Sequence, residues 1–329
     1  MLSSTSSSER AAFEADLIAP AGVSRGARVI NVPRPIAIML GMVLSFLVLL
    51  ELGTRVFVAP ASRIERRVES EYAGAASVRR GAGAKHVLVL GNSLLDADVD
   101  FDMLRGAFSP QWEARRLVVE QTAFLDWYYG MRHLIESGAE PDVIALVLSP
   151  DDLTSLEIRG DYSVYRLMGP REVLPLSREM HLHPTVATGY MLASVSAFYG
   201  LRTEYRKVLL GRLMPDMQEL AHYIGLRRAP RLPNSVVYRR VRERLARTKA
   251  MLDRHGIRLV LAIPPFPTYH SGNEIVRHAA LDVGVCVVIP FEAGSFVPQD
   301  FGSDQFHMNA MGARRYTMRL VPALRAVLQ

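Results

Sequence analysis

A serine that follows an apolar strand, and an acid–histidine pair near the far end of the chain, are the residues most suited to chemistry. Ser93 comes after the apolar run His86–Leu90, across a glycine-containing turn. Asp304 and His307 stand three residues apart, which puts them on one side of a helical or turn-like segment. A serine hydroxyl needs a base to become a good nucleophile, and a carboxylate fixes the tautomer of an imidazole base. This chemistry makes Ser93, Asp304 and His307 the candidates for a catalytic triad.

Each of these residues also has a purely structural interpretation. Serine is a common N-cap at a strand-to-helix turn, so Ser93 could simply begin a helix. His307 could pack locally, with Asp304 as an ordinary turn residue. The position of Ser93 is also compatible with chemistry, because ligands of open α/β sheets bind beyond the carboxyl ends of the strands. Local sequence alone leaves both interpretations open.

Short apolar runs rich in β-branched residues alternate with helical patterns along most of the chain. The strand candidates are His86–Leu90, Leu117–Glu120, Val143–Leu148, Ile257–Ile263 and Val283–Ile289. Helical patterns lie around Phe101–Arg105, Leu125–Ser137, Ser235–Arg254, Glu274–Asp282 and Asn309–Leu328. Continuous apolar runs are typical of parallel strands that are buried on both faces. The alternation predicts a three-layer α/β/α domain over residues 84–329, with a mostly parallel five-stranded sheet.

The alternation stops between the third and fourth strand candidates. Residues 153–234 contain no clear strand, whereas Val186–Arg212 and Pro215–Leu226 have helical patterns. We therefore predict a helical insertion beside the sheet. The single cysteine, Cys286, excludes an internal disulfide and lies in the apolar run of the fifth strand, which predicts that it is buried.

The segment at residues 35–54 is almost entirely apolar and contains no lysine or arginine. About 20 such residues span the hydrocarbon core of a bilayer, so we predict a single-pass transmembrane helix. A cleaved signal peptide and a buried core helix are the alternatives, but the leader would be long and no polar face is visible. Residues 1–34 are typical of a flexible tail, and residues 55–83 of a neck and linker. Arginines flank both ends, so charge does not orient the helix.

Two motifs together resemble a known superfamily. GNSL at residues 91–94 and DQFHMNAMGARRYT at residues 304–317 are similar to the first and last blocks of SGNH/GDSL hydrolases. The form of the second block is most similar to a membrane-anchored bacterial branch that acts in O-acylation of cell-envelope or exopolysaccharide carbohydrate. The resemblance covers roughly residues 86–329. It implies a flavodoxin-like SGNH fold, the triad Ser93, Asp304 and His307, and a catalytic domain outside the cytoplasm.

The middle of the chain departs from the superfamily pattern. The family usually has a glycine after the second strand and an asparagine after the third, and both help to form the oxyanion hole. The positions that correspond here give weaker oxyanion or substrate-binding candidates: Asn92, Gln121, Thr122, Ala123 and Asp151. Asp151 stands about where the asparagine belongs, and an ionised carboxylate there would oppose a developing oxyanion. Either another donor serves, Asp151 points away or is protonated, or the enzyme is slow or inactive.

The resemblance implies a serine esterase or O-acyltransferase that acts on acetyl-like esters of carbohydrate without a cofactor or metal. A transferase would work with a membrane-bound acyltransferase as partner. A catalytically silent SGNH-like binding or scaffold module of a polysaccharide modification complex is the alternative, and a lipid esterase is another.

Charged clusters elsewhere favour solvated surfaces over ligand sites. Alternating Asp96, Asp98, Asp100 and Asp102 lack the glycine and glutamate of a calcium loop, so we interpret them as loop and cap residues. The net charge of +6 comes mostly from arginine, and a basic stretch at residues 227–247 suits a solvated helix face, anionic lipid headgroups or an acidic polysaccharide. Sparse aromatic residues there argue against nucleic acid as a partner.

Overall fold

The computed structural model describes residues 33–81, 83–213, 232–266 and 272–329. The chain divides into two compact units, Met1–Val48 and Leu49–Gln329. Helix α1 (Arg34–Gly53) begins in the first unit and has no buried residue. With its continuation to Ala61, it is long and apolar enough to cross a membrane. Of the tail predicted at residues 1–34, only the last two residues are among those described.

Five parallel strands form the sheet of the second unit, in the order β2-β1-β3-β4-β5. They are β1 (Lys85–Gly91), β2 (Trp112–Val118), β3 (Val143–Val147), β4 (Arg258–Ala262) and β5 (Cys286–Val288). The strand order reverses beside β1, and such a switch point opens a crevice at the carboxyl ends of the strands. The α/β fold with a five-stranded parallel sheet is confirmed.

Helices cover both faces of the sheet because successive strand side chains point to opposite sides. Val87 and Val89 of β1 pack with α4 (Ser93–Asp98), α5 (Phe101–Phe108) and α14 (Ala310–Leu328). Leu88 and Leu90 belong to the opposite core, in which three helices that follow strands of the sheet bury residues. These are α6 (Phe124–Glu136), α12 (Asn234–Asp253) and α13 (Gly272–Leu281). The result is a three-layer α/β/α arrangement.

Five helices occupy the described part of the chain between β3 and α12. They are α7 (Pro150–Thr154), α8 (Asp161–Leu167), α9 (Pro170–Glu179), α10 (Pro184–Ala193) and α11 (Ala197–Leu213). Tyr162, Leu176 and Leu201 are buried in the same core as β1, so the insertion packs against the sheet layer. The helix predicted at Pro215–Leu226 lies outside the described residues.

Residues 55–83, which the sequence predicts as a neck and linker, are mostly helical in the structure. A π-helical turn (Thr54–Val58) and α2 (Ala59–Ala61) continue the chain, and α3 (Arg63–Ala76) follows. Val68 of α3 is fully buried. Glu71 accepts a hydrogen bond from the backbone N–H of Val118 at 2.9 Å, which ties α3 to the edge strand β2. The charges of this segment thus make structural contacts, so most of it belongs to the folded unit.

Two strand-level predictions were also wrong. β2 covers Trp112–Val118 and not Leu117–Glu120. Its glutamate and arginines are tolerated because β2 is an edge strand whose polar side chains pair at the surface. Cys286 is exposed. It is the first residue of the other edge strand, where it is exposed, whereas Val288, two residues further along, is buried.

Candidate active site

The turn between β1 and α4 presents Ser93 at the carboxyl edge of the sheet. Gly91 ends the strand, and a β-carbon there would lie 2.8 Å from the carbonyl oxygen of Val147, so a side chain would not fit. Asn92 begins the helix: its side-chain oxygen accepts a hydrogen bond from the N–H of Leu94 at 3.1 Å. Because Asn92 provides the cap, the hydroxyl of Ser93 does not serve that purpose.

A tight loop holds the acid and the histidine together. Phe301 pairs with Met308 in an isolated bridge, and the N–H of Gly302 donates to the carbonyl of His307 at 2.7 Å. Within the loop, one carboxylate oxygen of Asp304 accepts hydrogen bonds from the N–H of Phe306 at 3.0 Å and of His307 at 3.1 Å. The loop backbone therefore fixes the carboxylate beside the imidazole.

The three side chains form one continuous chain of hydrogen bonds. His307 Nε2 lies 2.9 Å from Ser93 Oγ, and His307 Nδ1 lies 2.6 Å from Asp304 Oδ2. A carboxylate accepts only, so Nδ1 carries the proton and Nε2 presents its lone pair to the serine hydroxyl. The structure thus brings together all three residues that the sequence predicts, with the separations that proton transfer from serine to imidazole requires.

The charge of Asp304 suits an orienting acid. Partial burial alone would raise its pKa, but the hydrogen bonds from the His307 ring and from the backbone N–H groups of Phe306 and His307 outweigh that effect. The net result is a pKa below the usual value of 3.8. An ionised carboxylate is therefore available to stabilise an imidazolium ion.

The residues after His307 position the loop. Asn309 caps α14, accepting from the N–H groups of Met311 at 3.1 Å and Gly312 at 3.0 Å. Its amide nitrogen donates to the carbonyls of Gln299 at 2.7 Å and Phe301 at 3.2 Å. A β-carbon on Gly312 would overlap the carbonyl oxygen of Asp300. The asparagine and glycine of the second motif are thus explained by packing around the loop that contains Asp304 and His307.

Asp98, the last residue of α4, is a site residue that the sequence analysis missed. It was interpreted as solvated, but it is fully buried, and its Oδ1 accepts a hydrogen bond from the N–H of Met308 at 2.9 Å. Its other oxygen, Oδ2, has no hydrogen-bond partner among the described residues. Burial raises the pKa of Asp98 well above 3.8, although the bond from Met308 opposes this, and the charge of Asp304 raises it further. Apolar Leu95 and Val99 beside it were the available signal for an inward face.

The candidates for oxyanion stabilisation are mostly engaged in other bonds. The amide nitrogen of Asn92 donates to the carbonyl of Thr122 and to Asp152 Oδ2, both at 3.0 Å. The N–H of Ala123 donates to Asp126 at 2.8 Å, and the hydroxyl of Thr122 donates to Val119. Gln121 is exposed and has a positive φ of 58°. The backbone N–H of Ser93, the first residue of α4, has no acceptor within that helix.

The acidic residue that reaches the serine turn is Asp152, and not Asp151. Asp151 is exposed. Asp152 Oδ2 accepts from Asn92 and from the hydroxyl of Ser149 at 2.7 Å and its N–H at 3.2 Å. Burial raises the pKa of Asp152, while the bonds from Ser149 and Asn92 oppose that rise. The capping geometry of α7 explains the one-residue shift, because the third helical residue folds back onto the N-cap.

No group of three or more histidine, cysteine or acidic side chains among the described residues could hold a metal ion.

The predicted basic stretch is described only from residue 232 onward, and Arg227, Arg228 and Arg231 lie outside the described residues.

No protein-family model matches the chain, and no curated protein sequence matches it. Solved structures do show a distant likeness. LAE5, an alpha/beta hydrolase enzyme from the metagenome of Lake Arreo, Spain, has 11% sequence identity and a TM-score of 0.42, covering 75% of this chain and 98% of its own. Axe2, an acetylxylan esterase from Geobacillus stearothermophilus, has 11% identity and a TM-score of 0.40, covering 74% of this chain and 95% of its own.

Proposed function

We propose that the chain is a membrane-anchored serine esterase or O-acyltransferase of the SGNH type. The observation that supports this most directly is the hydrogen-bonded series Ser93, His307 and Asp304, which unites residues 214 positions apart at the carboxyl edge of the sheet. The residues around it, Asn92, Asn309 and Gly312, have positions that the resemblance to SGNH motifs predicts and that packing explains.

In the proposed reaction, Ser93 Oγ attacks the carbonyl carbon of an ester while His307 Nε2 takes the hydroxyl proton. The imidazolium is stabilised by Asp304, which stays ionised, and in this proposal the N–H of Ser93 donates to the developing oxyanion. His307 then gives its proton to the leaving alcohol, and an acyl-serine remains. Water attacks that intermediate in an esterase, whereas a sugar hydroxyl attacks it in a transferase.

The substrate class is proposed from the motif resemblance. Its membrane-anchored branch acts on acetyl-like groups of envelope or exopolysaccharide carbohydrate, and α1 is long enough for an anchor. We accordingly place the catalytic domain outside the cytoplasm, with a membrane-bound acyltransferase as the partner that would supply the acyl group to a transferase.

Labelling and turnover of the full chain in lipid nanodiscs test the proposal. A fluorophosphonate probe should label the wild-type chain, and Ser93→Ala should abolish the label and the hydrolysis of short acyl esters. His307→Ala should abolish hydrolysis while leaving the hydroxyl in place. An unlabelled, inactive wild-type chain with intact thermal unfolding would contradict the enzymatic proposal. Preference for long acyl chains would instead favour a lipid esterase.

A catalytically silent binding module is the second candidate. It is favoured by the carboxylate of Asp152, which is joined to the serine turn through Asn92, where the resemblance leads us to expect a neutral amide. Such a module would bind carbohydrate without forming an acyl-serine. Mass spectrometry of Ser93 after incubation with an acetyl donor separates the two candidates, because only the enzyme acquires the acetyl mass.

A further inference from the structure

Helix α10 and the turn after it expose an unusual amount of apolar surface. Helix α10 contains no charged residue. Four large apolar side chains, here called the α10 surface, are exposed: Val186 (42%), Met191 (40%), Leu192 (48%) and Val195 (58%). Single exposed apolar residues are ordinary, but four of them within ten residues indicate a surface that contacts a membrane or another protein.

The turn of the α10 surface is bonded to the end of α1. Glu51, in the last turn of α1, accepts hydrogen bonds from the hydroxyl of Ser196 at 2.8 Å and from the N–H groups of Ala197 at 2.9 Å and Phe198 at 3.0 Å. Its carboxylate therefore caps the N-terminus of α11, where negative charge is favourable. The carboxylate that interrupts the apolar segment is thus satisfied by the helical insertion.

Arg55 makes a second bond at the same junction. Its guanidinium pairs with Glu51 at 2.6 Å and donates to the carbonyl of Val195 at 3.2 Å. The apolar segment predicted to span a membrane ends at residue 54, so Arg55 is where headgroups would begin. Arg55 therefore links Val195, the last residue of the α10 surface, to the end of the predicted span.

Exposed apolar side chains also follow Arg55 along the chain. Val56 (59%), Phe57 (73%) and Val58 (43%) are exposed in the helical turn that follows Arg55. Lipid is the occupant that this arrangement favours, since the α10 surface adjoins, through Glu51 and Arg55, the end of a helix that is itself apolar and exposed. A solvent-facing position would leave both groups of side chains in water.

We infer that the α10 surface is a second, non-spanning membrane contact, with Met191, Leu192 and Val195 inserted among the acyl chains near the headgroups. It goes beyond the proposed enzymatic function and rests on the insertion of α1 in the bilayer. Such a contact gives the second unit an attachment to the bilayer in addition to α1.

Depth-dependent quenching in liposomes tests the inference on the full chain. Cys286→Ser removes the native thiol, and Met191→Cys, Val195→Cys, Leu44→Cys and Met318→Cys then each carry an environment-sensitive fluorophore. Met318 is a matched control because it is an exposed methionine on the distant helix α14. With nitroxide on the lipid acyl chains, probes at residues 44, 191 and 195 should lose most of their fluorescence, and the probe at residue 318 should keep it.

Each other outcome overturns the inference in a recognisable way. Quenching at residue 44 alone would leave α1 in the membrane and show that the α10 surface faces water or a protein partner. Absence of quenching at all four positions would remove the anchor together with the inference. Ester hydrolysis by the same labelled samples is a separate reading, so failure of the membrane contact and failure of the enzymatic proposal are distinguished.

Discussion

Asp98 and Met308 join the two halves of the candidate site, since the buried carboxyl group at the end of α4 accepts a hydrogen bond from the backbone N–H next to His307. Ser93 begins that same helix. This bond of 2.9 Å therefore helps to fix the helix that begins with Ser93 against the loop that contains His307. Asp98 does not touch the reacting atoms, so its expected role is to position them.

Substitution of Asp98 should separate this positioning role from its charge. Asp98→Asn keeps an acceptor for Met308, so hydrolysis should stay close to wild type, whereas Asp98→Ala should lower kcat by roughly tenfold or more with little change in KM, because misplacement of a base weakens proton transfer. Steady-state kinetics of short-ester hydrolysis checks both variants. Equal loss in both would show that the carboxyl group itself, and not its bond to Met308, is needed.

The raised pKa of Asp98 also predicts how stability depends on pH. Its unfolded carboxyl group ionises near 3.8, while the folded one resists ionisation to a much higher pH. The folded state therefore loses stability as pH rises from about the unfolded value through the raised folded value. Asp98→Asn removes this loss, so its free energy of unfolding should exceed that of the wild type increasingly toward neutral pH. Urea unfolding across that range measures the difference, and parallel pH profiles would contradict the prediction.

The stability contributed by Asp304 should depend on pH in the opposite direction. Because its pKa is lowered in the folded state, its contribution to stability is present above the usual value of 3.8 and is lost as pH falls through the lower folded value. Asp304→Asn should therefore destabilise the chain only modestly. It should reduce kcat by roughly 10³–10⁴, the effect of losing the correct imidazole tautomer. A variant with unchanged kcat would remove Asp304 from the proposed mechanism.

The sequence allowed prediction of features that depend on local order. The apolar runs of β1, β3 and β4 indicate buried parallel strands whatever the order of the strands in the sheet. The motif around His307 contains the residues that form its loop and cap the following helix. Burial of Asp98 depends on Met308, 210 positions away, and exposure of Cys286 depends on its strand lying at the sheet edge. The burial of Asp98 and the exposure of Cys286 depend on the tertiary fold, including the order of the strands in the sheet, which a local sequence pattern does not specify.

Asp151 and Asp152 offer a matched test of which acidic residue supports the serine turn. Asp152→Ala leaves the donors of Ser149 and Asn92 without their acceptor, and each buried unsatisfied donor costs about 1–3 kcal/mol. Asp151 is exposed, where side-chain interactions are weakened by solvent, so Asp151→Ala should cost less than Asp152→Ala. Urea denaturation compares them. A larger loss for Asp151→Ala would mean that the turn is held differently.

Gly312 and Gly106 form a second matched pair, since both are helical glycines with opposite surroundings. A β-carbon on Gly312 would overlap the carbonyl oxygen of Asp300, whereas nothing lies within 4 Å of one on Gly106. Gly312→Ala should therefore displace the segment next to the loop that contains Asp304 and His307, and cost roughly 1–3 kcal/mol or more. Gly106→Ala, in an exposed part of α5, should stabilise the chain by about 0.5–1 kcal/mol through helix propensity.

Measuring kcat of Gly312→Ala and Gly106→Ala gives information that their stabilities do not. The carbonyl of Asp300 accepts the N–H of Asn309, which follows His307 by two residues. A displaced Asp300 should therefore shift His307 away from Ser93, and Gly312→Ala should lower kcat even at temperatures where it remains folded. Gly106→Ala should leave kcat unchanged. If Gly312→Ala were destabilised but fully active when folded, the second motif would serve the stability of α14 and not the alignment of the imidazole with the serine hydroxyl.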